Sequence, residues 1–167
     1  MTVNPEEFRK ALGRFATGVT VITVAGGQCQ VHGMTANAFT SVSLEPPLIL
    51  VCIDRRARTL PLVHAKDRFG VNVLSDDQQA LAVYFAQTTQ DHDSAQQINA
   101  HFAFTPRGTP LLDPCLVQLE CCVVSSQFAG DHTIFLAHVE EAFVREGRPL
   151  LFYAGRYREI GEEPSGP

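Results

Sequence analysis

Apolar residues recur at helical spacing near the start of the chain and at strand-like spacing through most of the rest. Asn4-Pro5-Glu6-Glu7 places a capping side chain, a first-turn proline and a third-position glutamate in the order that opens a helix. Phe8, Leu12 and Phe15 follow at helical spacing, which predicts one short helix with an apolar stripe through about Ala16. After Gly18 the period changes. Every residue of 19–24 is β-branched and Gly26-Gly27 supplies a turn, so a hairpin is expected into the segment 29–34. The apolar run 48–53 is too short for a typical helix and lies between Pro46-Pro47 and a cluster of charges, which predicts a central strand.

Residues 58–65 predict a short helix interrupted at Pro61, and 69–74 another strand. Ser75-Asp76-Asp77-Gln78 has capping-box spacing, and Leu81, Tyr84 and Phe85 give the helix behind it an apolar face. From 88 to 114 polar residues, Gly108 and three prolines predict a long surface excursion. Strand formers return at 116–124, 133–144 and 150–154, with turns around Gly130 and at Gly147-Arg148-Pro149. Many strands, few helices and no regular strand-helix alternation point to a mainly β fold. The expected form is a small, Greek-key-like antiparallel β-barrel with α-helical decoration, since closing the sheet removes its exposed edges. One domain is expected over 1–160, with 161–167 as a flexible tail.

Composition narrows the partners. A chain of 167 residues can bury roughly two-thirds of the surface it exposes when unfolded, enough to fold without staples. Thirteen basic and eighteen acidic residues give a net charge of -5 with no basic stripe, which excludes nucleic acid as the expected partner. A local cluster, Arg55, Arg56 and Arg58, could still hold a phosphate. No apolar run approaches the ~18 residues that span a bilayer, and the start of the chain lacks a signal-peptide core, so no membrane partner and a cytoplasmic location are expected. Five cysteines without CxxC spacing read as free, buried thiols, and Cys121 and Cys122 would point to opposite faces of a strand. No metal site is expected.

Candidate chemistry begins at 33–43, Gly-Met-Thr-Ala-Asn-Ala-Phe-Thr-Ser-Val-Ser. As one extended segment it would set Thr35, Asn37, Ser41 and Ser43 on one face, a row of small hydrogen-bonding groups suited to a planar heteroaromatic with a phosphate tail. Such residues equally satisfy local backbone groups in turns, and composition alone favours that use. Asp54-Arg55-Arg56-Ala57-Arg58-Thr59 ends the apolar strand where a helix starts, an arrangement that suits an anion or a solvated turn. Gly130-Asp131-His132-Thr133 places a lone histidine in a turn. Without a paired nucleophile, that histidine decides nothing by itself. Glycine-rich phosphate loops, GxSxG elbows and short-spaced histidine pairs are absent from the sequence, which disfavours metal-dependent and serine-nucleophile hydrolases.

The stretches 33–43, Pro46-Pro47-Leu48-Ile49, 69–74, Gly130-Asp131-His132-Thr133-Ile134 and Pro149-Leu150-Leu151-Phe152-Tyr153 together resemble the short-chain flavin reductases, the reductase components of two-component flavin monooxygenases. The resemblance covers about 8–158 in the same order. It implies an FMN-binding split barrel, a homodimer with flavin near the subunit interface, and hydride transfer from NADH or NADPH to FMN or FAD for a separate oxygenase. By position, Thr35, Ala36 and Asn37 would line the isoalloxazine edge, and Ser41 and Ser43 the flavin side chain or phosphate. Cys52 and Asp54 would flank the ring or ribityl chain, Arg58 and Thr59 would meet the phosphate, and Phe85-Ala86 the adenine end of FAD. His132, and Tyr157 beside it, would attend the nicotinamide nucleotide. Ala57 stands where the family often has serine, so one phosphate hydroxyl is missing. Two other readings remain: a flavoprotein with tightly held FMN that reduces another acceptor, and a non-catalytic flavin-binding protein.

Overall fold

The computed structural model describes residues 3–27, 30–87 and 100–161. Helix α1 (Pro5–Leu12) leads to a short strand β1 (Thr17–Gly18), then the hairpin of β2 (Thr20–Ala25) and β3 (Val31–Ala36) and that of β4 (Phe39–Leu44) and β5 (Pro47–Asp54). Helix α2 (Thr59–Lys66), strand β6 (Arg68–Val73), a 3-10 turn (Asp76–Gln78) and helix α3 (Gln79–Phe85) follow. The chain continues through β7 (His101–Phe104), β8 (Pro110–Asp113), β9 (Val117–Ala129), β10 (His132–Val144), β11 (Leu151–Tyr153) and β12 (Arg156–Arg158).

Seven strands form one antiparallel sheet in the order β3-β2-β6-β9-β10-β5-β4. Its two edge strands, β3 and β4, are consecutive in the chain and joined by Asn37 and Ala38 alone. Three Cα steps span at most about 11 Å. The edges of a flat sheet of this width would stand about 29 Å apart at ~4.8 Å per strand. The sheet must therefore curl into a barrel, with the two-residue joint bridging its seam. A hydrogen bond from the Cys52 amide to the Ala38 carbonyl, 3.0 Å, holds that joint to β5. The expected mainly β, antiparallel barrel is borne out.

Alternation along the strands fills the barrel with Ile22, Val24, Ile49, Val51, Ile53, Phe69, Val71, Cys121, Phe135 and Ala137, and α2 adds Val63. A second apolar cluster lies outside the sheet, where α3 and β8 cover Val19, Val21, Leu74 and Leu150. Side chains dock β8 onto the sheet face. The Thr23 hydroxyl donates to the Pro110 carbonyl at 2.5 Å, the Leu112 amide donates to Asn72 Oδ1 at 2.8 Å, and Gln118 Nε2 donates to the Leu112 carbonyl at 2.6 Å. Gly70 permits this approach, because a Cβ there would lie 2.6 Å from the Pro110 carbonyl oxygen.

Beside that contact, Glu120 is fully buried. It accepts from the hydroxyls of Thr109 at 2.7 Å and Thr105 at 2.8 Å, and from Arg68 at 3.1 Å and Arg107 at 3.2 Å. Glu140 and Glu141 complete the cluster, 2.6 Å from Arg68 and 2.9 Å from Arg107. Burial alone would raise the Glu120 carboxyl, but the two hydroxyls and Arg107 outweigh it and hold the group below its ordinary value.

Several expectations need correction. Helix α1 ends at Leu12, short of Ala16, and its stripe of Phe8, Leu12 and Phe15 is exposed. Pro61 does not interrupt α2, because it sits in the first turn, where no intrahelical amide is required. The segment 88–114 is not all surface: β7 and β8 pair, and Leu111 and Leu112 are buried, while 88–99 lie outside the described residues. The single polar face drawn through 33–43 does not exist, because Asn37-Ala38 separates two strands and a bulge between Ser41 and Ser43 breaks the alternation again.

Other expectations hold. The hairpin at Gly26-Gly27 is present, although Gln28 and Cys29 lie outside the described residues. Strand β5 has partners on both sides but buries alternate residues rather than all of them. The Gln78 side chain accepts from the Ser75 amide at 3.0 Å, as the capping-box spacing required. Cys121 is buried while Cys122, on the opposite face, is half-buried, and burial pushes the Cys115 and Cys121 thiols up to about 12; the expectation of buried thiols fails at Cys52 and Cys122, both half-buried, and Cys29 lies outside the described residues. The expected tail at 161–167 lies outside the described residues apart from Gly161. Among the described residues no helix is long and apolar enough to cross a membrane.

Candidate functional site

The barrel opens chemically where β5 ends. Inward residues Ile49, Val51 and Ile53 leave Leu48, Leu50, Cys52 and Asp54 on the outward face, and Asp54 is the last of that row. A tight turn follows, with the Ala57 amide on the Asp54 carbonyl at 2.9 Å and the Leu60 amide on the Ala57 carbonyl at 3.1 Å. The Asp54 carboxylate is fully used. It accepts from the Arg56 amide at 2.8 Å, from Arg56 Nε at 3.1 Å and from Arg56 Nη2 at 2.8 Å. These hydrogen bonds hold the Asp54 carboxyl far below the usual range.

Helix α2 starts from this turn without a side-chain cap, since Arg58 is the N-cap residue and makes no capping hydrogen bond. The amides of Arg58 and Thr59 have no partner among the described residues, and neither has the exposed Arg58 guanidinium. Uncapped amides at a helix start, with an unpaired arginine, form a donor set for an anion. Thr59 supplies only its amide to that set. Its side chain is buried and its hydroxyl donates to the Met34 sulfur at 2.9 Å, so the expected hydroxyl contact with phosphate is not made available. Ala57 packs its methyl on the barrel core.

The β9–β10 turn lies across from Asp54. Gly130 takes φ +64°, a left-handed conformation that glycine adopts freely, and the chain reverses there into His132. His132 pairs with Asp54 in strand register, and its Nδ1 lies 2.7 Å from Asp131 Oδ1. The Arg55 amide donates to the Asp131 carbonyl at 2.9 Å, and the Arg55 guanidinium stands over the Phe128 ring, 5.4 Å from its centroid. One end of the sheet thus gathers Cys52, Asp54, Arg58, the Thr59 amide and His132, with Asn37 in the joint that Cys52 tethers. The Cys52 thiol is half-buried and burial raises it.

Other expected site residues are not gathered there. Thr35 donates its hydroxyl to the Ala82 carbonyl of α3 at 2.7 Å, and buried Ala36 accepts from the Thr20 hydroxyl at 2.7 Å. Ser41 and Ser43 lie opposite Ile49 and Leu48, roughly 17–20 Å along β5 from Asp54 at ~3.3 Å per residue. Phe85 is buried among Tyr84 and Phe102 and faces Gly33, where a Cβ would lie 2.6 Å from its ring; Ala86 is the exposed C-cap residue of α3. Tyr157 stacks edge-on with Phe152 at 5.5 Å in the outer cluster and lines a separate cavity of about 280 Å³ with Asp76, Gln79 and Arg158. Of the arginine cluster expected to hold a phosphate, Arg56 is instead closed on Asp54 and Arg55 stands over Phe128, which leaves Arg58; neither the Arg56–Asp54 pairing nor that of Asp131 with His132 was expected from the sequence. In each pair the partners sit one or two positions apart, so charge spacing was their only signal.

A family model described as the flavin reductase like domain matches residues 12–161. The chain belongs to this family. An NADH-dependent flavin reductase from Rhodococcus sp is 44% identical over 162 residues, covering 95% of this chain and 88% of the relative. The reductase subunit HsaB of a flavin-dependent monooxygenase from Rhodococcus jostii (strain RHA1) is 35% identical, covering 99% and 83%. Among solved structures, flavin reductase PheA2 in its native state matches with a TM-score of 0.86 at 40% identity, over 96% of this chain and 100% of that one. The Streptomyces globisporus C-1027 NADH:FAD oxidoreductase SgcE6, in complex with NAD and FAD fragments, matches with a TM-score of 0.87 at 36% identity, over 98% of each chain. The expected resemblance and the split-barrel architecture are both borne out; the Rhodococcus sp relative is named an NADH-dependent flavin reductase and the Streptomyces globisporus structure an NADH:FAD oxidoreductase.

Proposed function

We propose that this flavin reductase like domain is an NAD(P)H-dependent flavin reductase of the cytoplasm, a homodimer that reduces FMN or FAD and releases it to a separate oxygenase. The observation that carries the reading is the unpartnered donor set at the start of α2. Two amides and a guanidinium without partners among the described residues fit a flavin phosphate, and the nearby Asp54 carboxylate is closed by Arg56 and does not compete for Arg58. The residues present therefore fit the cofactor at its phosphate, even with Ala57 in place of a hydroxyl.

When bound, flavin supplies the hydride acceptor and the reduced nicotinamide the donor. The protein's share is orientation and exclusion of water, since hydride transfer between stacked rings asks little of a protein acid or base. Arg58 and the α2 amides hold the phosphate. Cys52 and the Asn37-Ala38 joint wall the ring on the outward face of β5, and His132 orients the nucleotide. A second copy of the chain closes the site: Leu48, Leu50, Ile134 and Leu136 lie on that same outward face, and Leu44 on edge strand β4 is 93% exposed.

NADH and NADPH oxidation, measured with and without added FMN or FAD, tests the reading. Turnover that rises with free flavin in excess of protein supports a reductase that releases its flavin. Turnover that saturates at one flavin per chain supports the tightly held alternative, and no oxidation under any pairing overturns both.

A further inference from the structure

Two carboxylates border His132, and their states differ. Asp54, its partner in strand register, is closed by three hydrogen bonds from Arg56. Asp131 is 84% exposed on its side chain, and the one other residue among those described that bonds to that side chain is His132, through Nδ1 at 2.7 Å. A carboxylate accepts and cannot donate, so the proton of that contact sits on Nδ1. Whenever the ring is neutral, Nε2 is then its lone acceptor, and no described residue engages it. The backbone makes the contact durable. Gly130 in its left-handed turn and the Arg55 amide on the Asp131 carbonyl, 2.9 Å, fix the turn to the segment that leads into α2.

We propose that Asp131 is a positioning residue that holds His132 in its Nδ1–H tautomer, so that Nε2 accepts a hydrogen bond from the carboxamide N–H of the reduced nicotinamide nucleotide. This rests on the reading of His132 as the nucleotide's partner. In the other tautomer an N–H would meet the carboxamide N–H, and two donors facing each other leave both unsatisfied. Loss of Asp131 should therefore weaken nucleotide binding without touching the phosphate donors at Arg58.

Nitrogen-15 NMR of the imidazole, with the His132 signal assigned by its loss in His132→Ala, reports the tautomer whether or not the enzyme turns over. The expected spectrum shows Nδ1–H in the wild type and a shift toward Nε2–H in Asp131→Ala. Kinetically, Asp131→Ala should raise KM for NADH about tenfold, with kcat, flavin affinity and Tm nearly unchanged. Asp131→Asn, whose amide oxygen can still accept from Nδ1, should restore most of the KM. In a His132→Ala background Asp131→Ala should add nothing further. An Nε2–H ring in the wild type overturns the proposal, as does an equal KM penalty with and without His132. If the tautomer is as expected but His132→Ala leaves KM for NADH unchanged, the nucleotide reading of His132 has failed, and the proposal with it. A joint fall in Tm and flavin affinity in Asp131→Ala would instead mark a structural role and would also overturn it.

Discussion

Two clusters of arginine and carboxylate stand on the same sheet and differ in completeness. At Glu120, three carboxylates and two arginines meet with two threonine hydroxyls, and every charged group has a partner. At the end of β5, one pair, Asp54 with Arg56, is closed, while the Arg58 guanidinium and the amides of Arg58 and Thr59 have no partner among the described residues. The first cluster has a buried centre, Glu120, with its arginines and other carboxylates partly exposed around it, and it pins the β7–β8 hairpin to β6, β9 and β10. The second faces outward. A closed buried network rigidifies a fold, and an open set of donors beside it is what a ligand can complete. The difference separates residues whose loss should unfold the protein from residues whose loss should only empty it.

The largest effect is expected at the closed cluster. Glu120→Ala takes the shared acceptor from Thr105, Thr109, Arg68 and Arg107, while the two arginines keep Glu140 and Glu141; it should cost about 1–3 kcal/mol, on the order of 5 °C in Tm. Flavin affinity of the protein that remains folded should not change; calorimetry and a flavin titration check both halves. Acid should have the same target. The Glu120 carboxyl is held below its ordinary value of 4.5, so its stabilisation is present above that pH and is lost as pH falls through the lower folded value. Urea unfolding should show the gap between wild type and Glu120→Gln narrowing as pH drops below about 4.5.

Effects at the open cluster should be functional. Arg58→Ala should weaken FMN binding by about 10- to 100-fold, the loss of a charge-assisted contact, with Tm unchanged. His132→Ala should raise KM for NADH about tenfold while leaving flavin affinity intact; parallel loss of both would move His132 into the structural class. The smallest effect is expected at Thr59→Val. Its hydroxyl meets the Met34 sulfur inside the barrel, so the change should cost about 1 kcal/mol of stability and nothing in flavin affinity. A large loss of FMN binding in that variant would show that the Thr59 hydroxyl turns outward in solution.

Local pattern carried much of the fold. The β-branched run 19–24, the apolar run 48–53 and the turn at Gly130 became β2, β5 and the β9–β10 hairpin because strand period and turn chemistry are local properties. What was not legible depended on distant partners. The break at Asn37-Ala38 matters because it joins opposite edges of a curled sheet, and nothing in 33–44 reveals which strands its two halves will pair with. Strand β8 reads as a polar, proline-bearing excursion, yet Thr23, Asn72 and Gln118, from 40 to 87 positions away in two of the three contacts, bury it.

The site divided along the same line. Asp54, Arg58 and His132 came together because each terminates or begins a strand or helix at one end of the barrel. Thr35 and Thr59 carried the right chemistry on the sequence, but their hydroxyls are spent on α3 and on Met34. Side-chain direction decided those two, and spacing in the sequence does not supply it.

The open donor set at α2 is tested most directly by comparing FMN with riboflavin, which lacks the phosphate, in binding titrations of the wild type and Arg58→Ala. The expected result is that the wild type binds FMN at least tenfold more tightly than riboflavin, and that Arg58→Ala removes most of this preference while leaving riboflavin binding as it was. Equal affinity of the wild type for both flavins, or an equal loss of both in Arg58→Ala, would contradict the assignment of that end of the barrel to the flavin phosphate.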